Sequence, residues 1–309
     1  MASSDATSSG SVPQGLQSRF FLYQYEPSVP AASLFIALFA ITTCIHGYQM
    51  MRTRTWFFVP FFCGGLCETI GYAGRTYSAS QNPYFTLGPY VVQAVLLLVA
   101  PALFAASIYM ELGKISDLLE CGQYLLLPRR WITRSFVAGD VICFVLQAGG
   151  ASLMASTDMH TRDTGSNLVV GGLFVQIVFF GGFVITSLIF HWRVASSGKG
   201  KDVPYQRHLF ALYLSSILIF ARSIVRATEF IQGFFGYIIS HEAFLFGFDA
   251  APMLLVMMVF IWIHPSEIKA LLRGGGVMRR VKMVRMEARE KPQPQSTSPV
   301  DGEPVDSEP

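Results

Sequence analysis

The residues that could carry chemistry in this chain are charged and amide side chains that interrupt long apolar stretches. Nine of them stand out, and they are Glu68, Arg75, Asp140, Gln147, Arg222, Arg226, Glu229, Glu242 and Asp249. An unpaired charge at the centre of a bilayer costs about 2.5–3.5 kcal/mol on insertion scales, whereas a Leu or Phe returns only about 0.3–0.6 kcal/mol. These groups must therefore pair, be neutral or line water. We identify them as candidate substrate-binding or coupling residues, and we predict no catalytic residue and no metal ligand.

The spacing of these residues places several of them on shared helix faces, because residues three, four or seven apart lie above one another on an α-helix. Arg222, Arg226 and Glu229 are separated by four and three residues and form one stripe. A seven-residue interval joins three further pairs, which are Glu68 with Arg75, Asp140 with Gln147, and Glu242 with Asp249. The two stacked arginines repel each other. We therefore expect carboxylates from the same helix and from neighbouring helices to pair with them.

Two interpretations of this pattern stay open. In the first, the charges form a structural ion network that fixes how the helices pack. In the second, they line a charged cavity that faces outward and binds a polar head group or couples protons. Pro101 and Pro252 also fall inside apolar segments, where each proline frees a backbone carbonyl that neighbouring groups must satisfy. These two prolines are candidate hinges.

The elements that position these residues are seven apolar segments, each long enough to cross a bilayer as a helix. The chain has 309 residues, of which only 14% are charged, whereas a soluble domain carries about 25%. A spanning helix needs about 20 mainly apolar residues. The predicted spans are 29–50, 56–75, 89–110, 132–153, 168–190, 208–230 and 241–264. We predict an all-α, polytopic membrane protein with a seven-transmembrane-helix bundle, because these segments are too long and too continuously apolar for a membrane β-barrel.

The distribution of Lys and Arg predicts the orientation of this bundle. Basic residues concentrate between spans 1 and 2, 3 and 4, and 5 and 6, and after span 7, whereas the opposite side has only Arg19, Arg162 and, near a span end, Arg75. Cytoplasmic loops carry the excess of basic residues. We therefore predict that the N-terminus is outside and the C-terminus is cytosolic. Most of the candidate residues then lie in the outer half of the membrane, with Asp140 alone among the charged groups in the inner half.

The two ends of the chain differ in composition from the spans. Residues 1–28 are polar and are predicted to form an extracellular tail, followed by the transmembrane domain at 29–264. Residues 265–290 form a basic juxtamembrane segment, which either contacts anionic lipids or only fixes topology. Residues 291–309 are rich in Pro, Ser and acidic residues and are predicted to be a disordered cytosolic tail.

The polar residues stand in short blocks whose order resembles a known family. The blocks are Glu68-Thr-Ile-Gly-Tyr-Ala-Gly-Arg75, Gln93 with Ala100-Pro101, Gly139-Asp140 with Gln147-Ala-Gly-Gly150, Arg222-Ser-Ile-Val-Arg226-Ala-Thr-Glu229, His241-Glu242, Asp249-Ala-Ala-Pro252-Met253 and His264-Pro265. This set resembles the fungal lipid-translocating exporter family, the aminocholesterol-resistance-like proteins that include sphingoid long-chain-base exporters. The resemblance covers about residues 20–268. The family usually has aromatic residues at two positions near the seventh-span acid, which are Ala243 and Gly247 here.

The resemblance implies a non-enzymatic membrane exporter or translocase of amphiphilic lipids, sphingoid-base-like, or of toxic amphiphiles, which contributes to resistance. The expected partners are membrane lipids or an amphiphilic small molecule, with no nucleic acid and no cofactor, and the expected location is the plasma membrane. No Gly-x-x-x-x-Gly-Lys-Ser/Thr stretch is present, so direct ATP hydrolysis by this chain is not expected.

Two other functions fit the helix count. A seven-helix receptor or sensor of lipid or membrane stress would share the topology, but no Asp/Glu-Arg-Tyr triplet ends the third span and no Lys lies in the seventh. An intramembrane metal hydrolase would need several His or carboxylate ligands at one depth. His46, His191, His208 and His264 all lie near one side, where we interpret them as interfacial residues at span ends.

Overall fold

The computed structural model describes residues 27–81, 87–126, 128–154, 158–197, 205–233 and 236–272, and every regular element in these ranges is helical. The helices are α1 (Val29–Thr53), α2 (Val59–Ser80), α3 (Leu87–Leu118), α4 (Arg129–Met154), α5 (Met159–Ser196), α6 (Tyr205–Gln232), α7 (Glu242–Leu245), α8 (Ala251–Trp262) and α9 (Ser266–Leu272). Short 3₁₀ turns cover Trp56–Phe58 and Gly122–Tyr124, and a π-helical turn at Phe246–Ala250 joins α7 to α8.

Seven stretches of the described chain are long and apolar enough to cross a membrane, which confirms the predicted all-α, seven-helix membrane bundle. They are Val29–Thr53, Trp56–Ser80, Gly88–Leu118, Trp131–Met154, Met159–Ser196, Tyr205–Gln232 and Glu242–Leu272. An odd number of spans places Val29 and Leu272 at opposite ends of the bundle. We call these the amino end, where α1 begins, and the carboxyl end, where the seventh span ends. Which end faces the cytosol stays a prediction, and residues 1–26 and 273–309, with most of the predicted tails, lie outside the described residues.

Several helix boundaries follow from local capping chemistry. α1 begins after Ser28, whose hydroxyl accepts a hydrogen bond from the Ala31 N–H at 3.4 Å, and α5 begins after Asp158, whose carboxylate accepts from the Thr161 N–H at 3.0 Å. Such side-chain caps satisfy donors that a helix leaves open at its start. α1 ends at Arg54 in the left-handed conformation (φ 52°), and the Lys269 ammonium on α9 donates to the Arg54 carbonyl oxygen. That contact ties the end of α1 to the end of the seventh span.

The seven spans form a ring in chain order. α2 packs along α1 and α3, α4 along α3 and α5, and α6 along α5, while α8 contacts both α6 and α1 and so closes the ring. α3 also contacts α6 across the interior, and α9 packs against α3 at the carboxyl end. α2, α3, α6 and the seventh span therefore enclose a common interior, and the charged side chains of these helices meet there.

The contact between α4 and α5 depends on glycine. A Cβ placed on Gly150 of α4 would lie 2.6 Å from the Gly165 carbonyl oxygen of α5, and a Cβ on Gly165 would lie equally close to the Gly150 carbonyl oxygen. Small residues let membrane helices approach to backbone contact. A Cβ placed on the adjacent Gly149 would have no neighbouring atom within 4 Å among the described residues. Of Gly149 and Gly150, only Gly150 therefore makes the close approach.

The seventh span is interrupted at the π-helical turn, and Pro252 explains the interruption. A proline has no N–H to donate to the carbonyl four residues earlier, and its ring crowds that carbonyl. Pro252 follows the Phe246–Ala250 turn directly, so the wider turn lies where the regular hydrogen bond is lost. Asp249 lies within this turn and is buried.

Candidate functional site

Three arginines and three carboxylates form ion pairs in the amino-end half of the bundle. The first joins α2 to α7, where Arg75 Nη2 lies 2.6 Å from Glu242 Oε1. Both Glu242 oxygens also accept from the Ser28 backbone N–H at 3.0 Å, so this carboxylate holds the start of α1. The Arg75 side chain is only 1% exposed. It lies over the ring of Phe246, 5.6 Å from the ring centroid.

The second ion pair lies deeper and joins α6 to the π-helical turn. Arg222 Nε is 2.5 Å from Asp249 Oδ1, and the two side chains are 4% and 5% exposed. The contact is an ion pair by distance, although its N–H is not aligned for a hydrogen bond. Arg222 Nη2 donates to the carbonyl oxygen of Leu97 at 2.6 Å. That carbonyl lies four residues before Pro101, so it is the one that the proline leaves without a helix donor. The expectation that a neighbouring group satisfies a proline-freed carbonyl is confirmed here.

The third ion pair lies within α6 and borders a small pocket. Arg226 Nη1 is 2.9 Å from Glu229 Oε2, and the two side chains are 15% and 16% exposed. Arg226, Glu229 and Asp249 line the pocket together with His241 and apolar side chains of α6, α7 and the π-helical turn. The apolar lining residues include Val225, Ile238, Ile239, Phe244, Leu245 and Phe248. A pocket with this lining suits a molecule that has both a charged and an apolar part.

Glu68 is the carboxylate that remains without an ion pair in this cluster. It is 1% exposed, and its Oε1 atom has no hydrogen-bond partner among the described residues. Its charged neighbours include Asp249, Arg222 and Arg226. The cluster therefore contains one more carboxylate than guanidinium groups. Beside it, the buried Tyr72 ring packs against both Phe35 and Phe39, with centroid distances of 5.8 and 5.5 Å, and its hydroxyl also has no partner in the described chain.

The structure does not bring all nine predicted residues together. Asp140 on α4 faces Tyr109 of α3, and Gln147 donates from Nε2 to Gln176 Oε1 on α5 at 2.9 Å, so these two lie apart from the ion pairs. The idea that Glu242 and Asp249 act as one face was wrong, because Glu242 pairs with α2 whereas Asp249 pairs with α6. The π-helical turn between them changes the register that a regular α-helix would keep.

A second buried cluster, at the carboxyl end, was missed by sequence reasoning. His208 of α6 lies between Glu111 of α3 and Glu267 of α9, with Nδ1 3.3 Å from Glu111 Oε1 and Nε2 3.3 Å from Glu267 Oε2. Glu111 was overlooked because the predicted third span ends at 110, whereas α3 continues to Leu118. The interpretation of the span-end histidines as interfacial was wrong for His46, His208 and His264, all of which are buried.

The described residues contain no group of three or more His, Cys, Asp or Glu side chains arranged to hold a metal ion. In the carboxyl-end cluster, the two carboxylates contact different nitrogens of one imidazole ring. Ligands of one metal would instead converge on a common point. No disulfide joins cysteines within the described part of the chain. Among the described residues, both clusters are held by ion pairs between carboxylates and basic side chains.

Comparison with known proteins identifies the family. The sequence profile of the family described as "RTA1 like protein" matches residues 61–270, which is more than half of the chain. This chain belongs to the RTA1-like family. The matched region begins in α2 and ends in α9, so it includes both clusters.

Members of the RTA1-like family from Saccharomyces cerevisiae match most of the chain. Protein RTM1 is 40% identical and Protoporphyrin uptake protein 1 is 42% identical, each alignment covering 79% of this chain and 91% of the relative. The Sphingoid long-chain base transporter RSB1 is 25% identical over 75% of this chain and 70% of its own length. No solved structure matches. The resemblance to fungal lipid-translocating proteins is thus confirmed, and lipid-related membrane transport is represented within this family.

Proposed function

We propose that this RTA1-like protein is an exporter that moves amphiphilic lipids, sphingoid-base-like, or toxic amphiphiles across the membrane and so contributes to resistance. The observation that carries the proposal is the excess carboxylate in the amino-end cluster. Among the described residues, each of the three arginines has an ion-paired carboxylate, whereas Glu68 is buried and has no such partner. An ammonium head group would supply the missing positive charge.

The pocket beside the cluster provides a route for such a molecule. The Arg226–Glu229 pair borders the pocket, is partly exposed and lies within one helix. Because the pair lies at the edge of the pocket, an entering head group that contacts Glu229 would compensate for the loss of Arg226 as its partner. The head group would then meet Glu229 and Asp249, while its apolar chain would lie against the aromatic rings of Phe244 and Phe248. The deeper Arg222–Asp249 ion pair would stay intact until the ammonium head group reached Asp249.

The direction of transport depends on orientation. We propose that the amino end faces outward, the carboxyl end faces the cytosol, and the protein lies in the plasma membrane. The concentration of Lys and Arg in segments that join the spans at the carboxyl end supports this orientation. In this orientation the pocket at the amino end would open toward the outer leaflet or the exterior, which suits the release of an exported molecule.

The test is release of a fluorescent sphingoid base from loaded cells to albumin in the medium. Wild type is compared with Glu68→Gln, Glu229→Gln and Glu242→Gln at equal surface abundance, and with Asp158→Asn, an exposed helix cap, as the control. We expect export to fall at least fivefold in Glu68→Gln and Glu229→Gln, and the control to match wild type. Unchanged export in both would remove the excess carboxylate from the mechanism, and unchanged export in Glu242→Gln would assign that residue a purely structural role.

A second candidate function is the uptake, rather than the export, of an amphiphile that is negatively rather than positively charged. A relative that is 42% identical is named a protoporphyrin uptake protein, and Arg226 lines the pocket. An amphiphile with carboxylates would pair with Arg226 and displace Glu229 from it. Uptake of fluorescent protoporphyrin by cells that express wild type or Arg226→Gln separates the two candidates. Arg226→Gln should abolish uptake if this candidate is correct, whereas the first candidate predicts no uptake by either protein.

A further inference from the structure

The buried histidine at the carboxyl end has a carboxylate against each of its two ring nitrogens. We call Glu111, His208 and Glu267 the histidine clamp. The residues come from α3, α6 and α9, three elements that are distant in sequence, and both nitrogen–oxygen distances are 3.3 Å. An imidazole can donate from one nitrogen while accepting at the other, and it exchanges protons near neutral pH. A ring held in this way has a proton donor or acceptor on both sides.

The exposure of the three side chains falls stepwise toward the interior. The side chain of Glu267 is 15% exposed, that of His208 is 1% exposed, and that of Glu111 is 0% exposed. The Nε2 contact with Glu267 is close but is not aligned for a hydrogen bond. Because Glu267 is the partly exposed member, a small rotation of its side chain moves it between water and the ring. The clamp therefore leads from the aqueous phase to a fully buried carboxylate.

The second carboxylate oxygen of Glu111, which does not contact His208, is unsatisfied among the described residues. This Oε2 atom has no hydrogen-bond partner among the described residues, although the residue is completely buried. A buried carboxylate oxygen without a donor is costly, because folding removed the water that had solvated it. A proton on Glu111 removes the charge and supplies a donor. The residue is thus placed to alternate between a carboxylate and a carboxylic acid.

The other buried histidines are committed to single roles. His46 Nε2 lies 3.0 Å from the Met257 carbonyl oxygen, so this nitrogen must donate. His264 Nδ1 accepts from the Ser266 backbone N–H at 3.2 Å. Among the described residues, neither ring has a carboxylate on each side. The titratable and charged groups that face the clamp in this part of the chain include its own two carboxylates, His264 beside His208 with His46 behind it, and Arg207 near Glu267.

The geometry points to a proton-transfer site in which Glu267, His208 and Glu111 pass protons between the aqueous phase at the carboxyl end and the interior of the bundle. Its role in coupling protons to transport rests on the proposed function. In one transfer, the Glu267 acid gives its proton to Nε2 while the Nδ1–H proton moves to Glu111 Oε1. Glu267 becomes a carboxylate, Glu111 becomes a neutral acid, and the ring stays neutral in its other tautomer. Rotation of the ring resets it for the next proton, which Glu267 takes from water.

The interior face of α6 provides a continuation toward the amino-end cluster. Ser215 and Ser216 are buried, and their hydroxyls have no partner among the described residues. Ser215 lies about 10 Å beyond His208 along the helix, and Arg222 lies about 10 Å further, at a rise of about 1.5 Å per residue. A hydroxyl both donates and accepts, so these groups can order bridging water and relay protons. The path would connect the clamp to the buried Glu68.

The test uses the full-length protein in lipid nanodiscs and requires no transported molecule. A rapid drop in pH is followed by infrared difference spectroscopy of the carbonyl stretch of protonated carboxylic acids. Wild type should show a band that Glu111→Gln removes. His208→Gln should delay the appearance of this band at least tenfold, and Glu267→Gln, at the partly exposed position, should do the same. Glu120→Gln changes an exposed carboxylate at the same end and serves as the matched control, with no expected delay.

The proposal is overturned if the Glu111 band is absent from wild type, or if it appears equally fast in wild type and in folded His208→Gln. Should His208→Gln fail to fold, Glu267→Gln decides in the same way. Efflux of the fluorescent sphingoid base is then measured with and without a pH gradient, and His208→Gln should make efflux insensitive to the gradient. A normal infrared response without any efflux would overturn the transport proposal alone. Efflux with no clamp-dependent protonation would overturn the proton site alone.

Discussion

Arg222 offers the sharpest test of how the interior charges are balanced. Its guanidinium bridges Asp249 and the Leu97 carbonyl that Pro101 leaves without a donor. Removal of one partner from a buried ion pair costs about 3–5 kcal/mol, and an orphaned buried carbonyl costs about 1–3 kcal/mol. Arg222→Met removes both contacts, so we expect the free energy of unfolding to fall by about 4–8 kcal/mol, summing the two ranges.

The structure predicts how the loss is recovered. Asp249→Leu in the Arg222→Met background removes the stranded carboxylate, and we expect the deficit to shrink to about 1–3 kcal/mol, the cost of the Leu97 carbonyl alone. Pro101→Ala then supplies an N–H four residues after Leu97, so the triple variant should recover most of the remainder. The same Pro101→Ala change in wild type should have a smaller effect, because the carbonyl already has a donor there.

The measurement is equilibrium unfolding in mixed micelles, with secondary structure and an intrinsic fluorophore as independent probes. Arg226→Met with Glu229→Leu is the matched control. That pair is 15–16% exposed, borders the pocket and lies within one helix, so each of its single variants should lose less stability than Arg222→Met does. The reasoning is refuted if the double variant at Arg222 and Asp249 is as unstable as Arg222→Met, or if Pro101→Ala gives no recovery in that background.

The remaining predictions concern packing, capping and topology. Gly150→Ala should lower the free energy of unfolding by about 1–3 kcal/mol because its methyl group meets α5 backbone, whereas Gly149→Ala should be neutral or slightly stabilising, as measured by the same unfolding assay. The hydrogen bonds from Thr161 lower the pKa of the Asp158 carboxyl, so its cap is present at neutral pH and is lost as acid protonates it. Protection of the first-turn amides of α5, measured relative to the intrinsic exchange rate at each pH, should therefore fall at low pH in wild type, whereas in Asp158→Ala it should be low throughout. An epitope at the N-terminus should be accessible on intact cells and one at the C-terminus only after permeabilisation, and the reverse pattern would contradict the proposed orientation.

The number of spans was predictable because each apolar segment alone satisfies the requirement for crossing a bilayer. The predicted ends were less accurate, since hydropathy changes where the bilayer ends rather than where a helix ends. α5 begins at Met159, well before the predicted 168, because Asp158 caps it outside the apolar region. α3 likewise continues past 110 and carries Glu111 into the interior. The Glu111 carboxylate lies just beyond the predicted span, so hydropathy did not single it out.

The partners within the candidate site were only partly predictable. Arg226 and Glu229 follow from spacing within one helix, which the sequence displays directly. The pairing of Arg75 with Glu242 depends on how two helices rotate against each other, and hydropathy does not determine that rotation. Arg222 of α6 donates to the Leu97 carbonyl of α3, which has no helix donor because Pro101 follows four residues later. The free carbonyl can be predicted from the sequence, but its position beside Arg222 depends on how α3 and α6 pack.

The π-helical turn before Pro252 has a consequence for sequence change in this region. A π turn accommodates one residue more than the corresponding α-helical turn, so loss of a single residue from Phe246–Ala250 would restore a regular helix without breaking the span. Because the wider turn absorbs the extra residue, the parts of the helix before and after such a deletion would keep nearly their present orientation. Glu242 would stay near Arg75 and the start of α1, and Asp249 or its replacement would stay near Arg222. A one-residue deletion in the regular helix α8 would instead rotate the part before it by about 100° and turn both carboxylates away from their arginines.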